Sequence, residues 1–113
     1  MAKIAIVGAG MMGSGIAWPI HDNGHDVRLV GTHLDREIIE SIKQTGLHPK
    51  HKRTVPAGIK PCFLEELAAA LDGIDVLVCG VSSAGIDWFM HTLQPYFKPN
   101  VPVLSITKGL VAN

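Results

Sequence analysis

The chain has 113 residues, of which 47% are hydrophobic and 18% charged, and its ten basic residues balance ten acidic ones. This length and composition predict one folded domain with a real core and exclude an intrinsically disordered chain. The zero formal net charge argues against a protein whose main task is to bind a nucleic-acid backbone, because that task needs a basic surface.

Strands and helices are predicted to alternate from the start of the chain. Lys3–Val7 is a short apolar run that ends at glycines, which predicts a buried parallel strand. Residues 11–23 predict a helix that Pro19 kinks or shortens and that ends at Gly24. Asp26–Val30 is the second predicted strand.

The alternation continues beyond a connection rich in proline and glycine. In chain order we expect a helix over residues 35–45, a connection over 47–61 with a short third strand near 58–60, a helix over 63–71, a strand over 75–81, a helix over 84–93 and a strand over 101–106.

This order of elements predicts the fold class. Four of the five strands are expected to be buried on both faces, which is typical of an α/β fold with a mainly parallel sheet. Right-handed crossovers then give a Rossmann-like, doubly wound fold in three α/β/α layers, with strand order 3-2-1-4-5.

A glycine-rich turn follows the first predicted strand. Gly8-Ala9-Gly10-Met11-Met12-Gly13 fits G-x-G-x-x-G and opens a predicted helix, which is the context of a dinucleotide-binding turn. Gly8 would allow the tight turn, Gly10 would let a pyrophosphate approach, and Gly13 would let the helix pack close to the sheet. The phosphates would lie on the free N–H groups of the helix. The alternative is a turn that serves packing alone.

The residues after the second strand bear on the choice of nucleotide. NAD enzymes usually place an acid there for the ribose hydroxyls, but the nearest acid is Asp35, which also suits a helix N-cap. Thr32, His33 and Arg36 could instead hold a 2′-phosphate. We therefore expect NADP or NAD as cofactor, with NADP at least as well supported. The alternative is that Arg36 is a solvated helix residue.

The connection carries the basic run His48-Pro49-Lys50-His51-Lys52-Arg53. A solvated loop is the favoured interpretation, and a substrate entrance that attracts phosphorylated ligands is the other. Without aromatic residues the run gives little support for nucleic-acid binding, so no nucleic-acid partner is expected. The histidines lack metal-ligand spacing, so no metal site is expected, and His48 and His51 are predicted to be loop residues.

The remaining signals concern the compartment. Cys62 and Cys79 have no disulfide or metal spacing and are expected to be small apolar side chains in a reduced compartment. No signal peptide and no apolar run near 20 residues, the length that spans a bilayer, is visible. We therefore expect a cytoplasmic protein without membrane insertion.

Four segments along the whole chain match one enzyme family. They are the turn with its flanks (IAIVGAGMMGSGIA), the second strand with the next helix (DNGHDVRLVGTHLDREI), a later strand with a small polar pair (VLVCGVSSAGI) and a last strand ending in Thr-Lys-Gly (LSITKGL). Together they resemble the N-terminal domain of NAD(P)-dependent glycerol-3-phosphate dehydrogenase. Thr107-Lys108-Gly109 is the most selective of these features.

The resemblance implies roles for particular residues. The cofactor pyrophosphate would bind the glycine turn through Gly8, Gly10, Met11, Met12 and Gly13. Val81 and Ser82 would border the nicotinamide, and Lys108 would lie at the active site near the substrate. Lys108 also follows a predicted strand, so it would stand where open α/β sheets bind ligands and could polarise a carbonyl there. An ordinary surface lysine is the alternative.

The resemblance also implies an activity and a larger protein. The family interconverts sn-glycerol 3-phosphate, a small phosphorylated substrate, and dihydroxyacetone phosphate by hydride transfer, and a homodimer is expected. Its members are far longer, with a helical second domain that supplies most of the substrate pocket. We therefore expect residues 1–113 to be an incomplete NAD(P)-binding domain without turnover. The alternatives are another reductase of the 6-phosphogluconate dehydrogenase-like group, such as ketopantoate reductase, or a non-enzymatic dinucleotide-binding module.

Overall fold

A computed structural model describes residues 2–106 as alternating strands and helices. The strands are β1 (Lys3–Val7), β2 (Asp26–Val30), β3 (Leu47–His48), β4 (Arg53–Thr54), β5 (Ile59–Cys62), β6 (Val76–Cys79) and β7 (Val103–Ser105). The α-helices are α1 (Met11–Asp22), α2 (Arg36–Thr45), α3 (Leu67–Ala70) and α4 (Ile86–Leu93), and short 3-10 helices cover Leu64–Glu66, Ser83–Gly85 and Gln94–Tyr96.

Five parallel strands form the central sheet in the order β5-β2-β1-β6-β7. Counted along the chain without β3 and β4, this order is the predicted 3-2-1-4-5. The predicted doubly wound α/β class is confirmed. The labels differ because β3 and β4 pair antiparallel in a separate hairpin that was not predicted from the sequence.

The core lies on both faces of the sheet. Successive strand residues point to opposite faces. Ile4 and Ile6 of β1 accordingly join one buried cluster, and Ala5 and Val7 join the other. Residues of α1 and α2 complete the first cluster, and residues of α3 and α4 complete the second. The predicted three layers follow from this arrangement.

Three helices differ from the prediction in detail. α1 runs through Pro19 and ends at Asp22, one residue before the predicted end. The predicted helix 63–71 is a 3-10 turn followed by the four residues of α3. The Phe63 N–H donates to the Glu66 carboxylate at 2.8 Å, and the Glu66 N–H returns to the Phe63 carbonyl at 2.9 Å, which closes a tight i to i+3 turn. The predicted helix 84–93 likewise starts with a 3-10 turn.

Candidate functional site

A cleft of about 200 Å³ lies at the carboxyl ends of β1, β2 and β6. Strand order reverses at β1, because β2 pairs with one of its edges and β6 with the other. Open α/β sheets bind ligands at such a switch point. The lining comes from the segments that follow these three strands and from α4: Gly8, Gly10, Thr32, His33, Leu34, Asp35, Gly80, Val81, Ser82, Gly85 and Trp88.

The three glycines of the glycine turn (residues 8–13) have different surroundings. Gly8 has φ +118°, and a Cβ on it would lie 2.7 Å from the Gly80 carbonyl. A Cβ on Gly13 would collide with the Gly8 carbonyl oxygen. Gly10 is different, because no atom lies within 4 Å of the position of its Cβ. Gly8 and Gly13 therefore serve close packing, whereas Gly10 leaves open space at the cleft.

The peptide groups of Ala9 are held from three directions. The Ala9 N–H donates to Asp35 Oδ2 at 2.9 Å. The Ala9 carbonyl accepts from Ser14 Oγ at 2.8 Å and from His48 Nε2 at 2.9 Å. Ala9, Ser14 and His48 are fully buried. The glycine turn is thus fixed by hydrogen bonds from α1, from the segment after β2 and from the hairpin.

Asp35 does not play the helix-capping role suggested by its position. It occupies the N-cap of α2, but its side chain makes no hydrogen bond to the helix. Its Oδ2 accepts instead from the Thr32 N–H at 3.0 Å, the Thr32 hydroxyl at 3.1 Å and the Ala9 N–H. Asp35 therefore joins the end of β2 to the glycine turn.

His48 was predicted to be a solvated loop residue, and this is wrong. Its side chain is fully buried because the hairpin β3–β4 folds back against α1, where His51 Nε2 lies 3.2 Å from the Met11 carbonyl oxygen. The ring lies 6.4 Å from that of Trp18, over which the Arg53 guanidinium stacks at 4.7 Å. Burial lowers the pKa of His48. No local feature of the sequence predicts this burial.

The predicted 2′-phosphate residues lie together at a second, adjoining pocket of about 180 Å³. Arg36 Nη1 is 2.7 Å from Glu65 Oε2, and its guanidinium lies 4.4 Å from the centre of the Phe63 ring. Thr32 and His33 line both pockets. The hydrogen bond from Arg36 lowers the pKa of Glu65. The sequence did not predict Phe63 and Glu65 as residues of this site.

The opposite wall of the cleft carries the residues predicted to border the nicotinamide. Val81 is buried and Ser82 is exposed just after β6. Trp88 on α4 was not predicted, and its ring lies 5.3 Å from that of His33. This contact brings the β2 side and the β6 side of the cleft together.

The remaining predicted residues fall at the start of α1 and beyond the described chain. Met11 and Met12 are the first residues of α1. Lys108 lies outside the described residues. Within residues 2–106, no group of three or more His, Cys, Asp or Glu is placed to hold a metal ion. No helix in that same range is long and apolar enough to cross a membrane.

Comparisons with known proteins point to one enzyme family. A family model described as NAD-dependent glycerol-3-phosphate dehydrogenase N-terminus matches residues 3–113. An NADP(+)-dependent glycerol-3-phosphate dehydrogenase from Archaeoglobus fulgidus is 38% identical over 108 residues, which are 96% of this chain and 32% of that protein. The chain spans about a third of the length of the curated relatives it matches.

Solved structures share the fold. The crystal structure of glycerol-3-phosphate dehydrogenase from Coxiella burnetii has a TM-score of 0.78 at 22% identity, over 96% of this chain and 34% of that one. D-mandelate dehydrogenase with NADH and anilino(oxo)acetate has a TM-score of 0.73 at 25% identity, over 93% of this chain and 33% of that one.

Proposed function

Because the chain belongs to the family of N-terminal domains of NAD-dependent glycerol-3-phosphate dehydrogenase, we propose that its cleft binds NADP or NAD. Gly10 carries the proposal. It lines the cleft directly before α1, and the position of its Cβ is open space. The first N–H groups of a helix have no intrahelical partner, and the dipole there favours a pyrophosphate.

The residues around the cleft fit the parts of such a cofactor. The N–H groups of Gly10, Met11 and Met12 would hold the pyrophosphate, with Gly8, Ala9 and Gly13 shaping the turn beneath it. When bound, the cofactor carries the hydride, and the protein binds and orients it. The adenosine side would be held by Thr32, His33 and Arg36, and the nicotinamide side by Val81, Ser82 and Trp88.

Asp35 supports a preference for NADP over NAD. Its Oδ2 already accepts three hydrogen bonds from Ala9 and Thr32, so this oxygen is engaged within the protein before any ribose hydroxyl arrives. Arg36 can pair with a 2′-phosphate by exchanging its exposed partner Glu65, because exposed ion pairs contribute only about 0–1 kcal/mol. The Archaeoglobus relative is named as NADP(+)-dependent, which agrees with this preference.

Calorimetric titration of the chain with NADPH and NADH tests both parts of this proposal. We expect binding of both, with NADPH about three- to tenfold tighter, since the added charge-assisted pair is worth roughly 1 kcal/mol. Equal or tighter binding of NADH contradicts the preference. If neither nucleotide binds, the proposed cofactor site is contradicted.

We propose that the domain serves the interconversion of sn-glycerol 3-phosphate and dihydroxyacetone phosphate. Oxidation of the secondary hydroxyl to the ketone gives a hydride to the nicotinamide and releases a proton. Lys108 would attract the phosphorylated substrate and polarise the carbonyl, a role that the family resemblance supports. The family model favours this reaction over that of a ketopantoate reductase or a purely binding module.

We further propose that turnover needs the helical substrate domain of the family and proceeds in a homodimer. The 113 residues would then bind cofactor without reacting. An absorbance assay at saturating NADPH and dihydroxyacetone phosphate is expected to show no oxidation of NADPH by the purified chain. Measurable turnover would overturn this part of the proposal and leave the cofactor site intact.

A further inference from the structure

We propose that His48 is a positioning residue that holds the glycine turn in the shape that presents the Gly10 N–H to a bound pyrophosphate. The inference rests on the proposed cofactor site. His48 is 39 residues from its partner Ala9 in sequence and belongs to the hairpin β3–β4, which does not line the cleft.

The peptide between Ala9 and Gly10 links the buried contact to the cleft. In a trans peptide the carbonyl oxygen and the N–H point in opposite directions, and no peptide of the described chain is cis. His48 Nε2 and Ser14 Oγ bind the Ala9 carbonyl from the protein interior. The Gly10 N–H of the same peptide plane therefore points away from His48, and Gly10 lines the cleft.

The imidazole of His48 is itself fixed in one tautomer. Its Nδ1 lies 3.2 Å from the backbone N of both Lys50 and His51. Because these N–H groups only donate, Nδ1 accepts and carries no proton. The Ala9 carbonyl only accepts, so Nε2 carries the proton and donates it. The neutral ring thus connects the hairpin to the glycine turn by hydrogen bonds at both of its nitrogens.

Ser14 and His48 have separable effects on the same carbonyl. Ser14 belongs to α1, so its hydrogen bond stays within the turn and its own helix. His48 ties the carbonyl to a different part of the chain. Without His48 the Ala9 carbonyl keeps a single donor, Ser14 Oγ, and the glycine turn is more mobile. A more mobile turn must be ordered when the ligand binds, which costs binding free energy. We expect pyrophosphate affinity to fall about tenfold, the size of one hydrogen bond to a preorganised site.

Two substitutions each keep one of the two hydrogen-bonding functions of His48 and remove the other. His48→Asn keeps an acceptor near the position of Nδ1 for Lys50 and His51 but is too short to reach Ala9. His48→Gln reaches Ala9 with an amide donor and gives up the acceptor inside the hairpin. Titrations use NADP and 2′-AMP, which shares the adenosine and 2′-phosphate but lacks the pyrophosphate. Thermal unfolding of both variants is measured alongside.

We expect His48→Asn to bind NADP about tenfold more weakly and 2′-AMP as wild type does, and His48→Gln to recover most of the NADP affinity. If His48→Asn and wild type bind NADP with equal affinity, the role of His48 is overturned and the proposed cofactor site is not affected. Equal losses for NADP and 2′-AMP would overturn the role of His48 too, because they indicate a general loss of structure. If wild type binds no NADP, both the proposed function and the role of His48 are contradicted.

A measurement on wild type covers the case in which His48→Asn does not fold. Long-range proton–nitrogen correlation spectra identify the protonated ring nitrogen of each histidine. We expect His48 to be neutral with the proton on Nε2 at about pH 7, as the two acceptor contacts at Nδ1 require. A proton on Nδ1 would overturn the inference.

Discussion

The glycine turn and the second pocket around Arg36 are held in opposite ways. At the turn, Ala9 and its partners Ser14 and His48 are fully buried. At the second pocket, the ion pair between Arg36 and Glu65 has side chains that are 60% and 61% exposed. Buried hydrogen bonds are costly to leave unmade, whereas exposed ion pairs exchange partners readily. The shape of the proposed pyrophosphate site is therefore built in, and the charge proposed to bind a 2′-phosphate is adjustable.

The largest effect is expected for Gly13→Ala, which tests the rigidity of the glycine turn. The new Cβ collides with the Gly8 carbonyl and forces α1 away from β1. Overpacking of this kind costs on the order of 1–3 kcal/mol, so we expect the temperature of thermal unfolding to fall clearly and NADP binding to be lost.

Gly10→Ala is the matched control for that substitution. Gly10 has φ −72°, which alanine adopts freely, and nothing lies within 4 Å of its Cβ position. We expect unchanged thermal unfolding and NADP binding weakened about tenfold or more, because the methyl group occupies the space of the pyrophosphate. A large loss of stability in Gly10→Ala, or none in Gly13→Ala, would contradict the different roles of the two glycines.

A smaller effect is expected from pH. The pKa of His48 is lowered by burial and by the charge of His51, while the hydrogen bond to the Ala9 carbonyl and the charge of Asp35 oppose the shift. The unfolded chain therefore binds a proton at His48 more readily than the native one. The His48 contribution to stability is full above its ordinary pKa of 6.5 and is lost as pH falls toward the lowered native value.

Thermal unfolding at about pH 7.5 and about pH 5.5 measures this contribution. We expect wild type to lose stability at the lower pH and His48→Gln to lose less, since glutamine does not titrate. The histidines that lie away from His48 are present in both proteins and cancel in the difference, which therefore reports His48 together with its neighbour His51. The same pH dependence in both proteins would show that His48 is not buried in its neutral form.

The smallest effect is expected for Glu65→Gln, which changes the exposed ion pair at the second pocket. This change removes the carboxylate that competes for Arg36. We expect NADP to bind about two- to fivefold more tightly, NAD to bind unchanged, and the stability to change by less than about 1 kcal/mol. Arg36→Gln is the opposite control and should weaken NADP alone. If neither variant alters the ratio of NADP to NAD affinity, Arg36 does not contact the 2′-phosphate.

The same contrast explains how much the sequence could predict. The strands and the roles of Gly8 and Gly13 follow from local constraints, namely apolar runs and tight turns, and the structure confirms the strand order. His48 was assigned wrongly because its partner Ala9 lies 39 residues away in sequence. Asp35 is the N-cap residue of α2, as its position suggests, but its bond to the Ala9 N–H, 26 residues away, was not predicted. Local pattern carries no information about which distant backbone group a polar side chain will reach.

The helix predicted over 63–71 is present but begins as a 3-10 turn. The Glu66 N–H donates to the Phe63 carbonyl, an i to i+3 bond, while the Glu66 carboxylate caps the Phe63 N–H. That turn places Phe63 and Glu65 beside Arg36, so the second pocket depends on a detail that helix propensity does not predict.

Titration of the nitrogen-15-labelled chain with NADP, followed by amide proton and nitrogen shifts, tests the central claim most directly. We expect the largest shifts at Gly10 and the first residues of α1, with smaller ones at Thr32 and His33. Amides of the hairpin tip at Lys50 and Lys52 should hardly move, because they lie outside the cleft. Shifts concentrated at the hairpin tip, with Gly10 unchanged, would contradict a pyrophosphate site at the glycine turn.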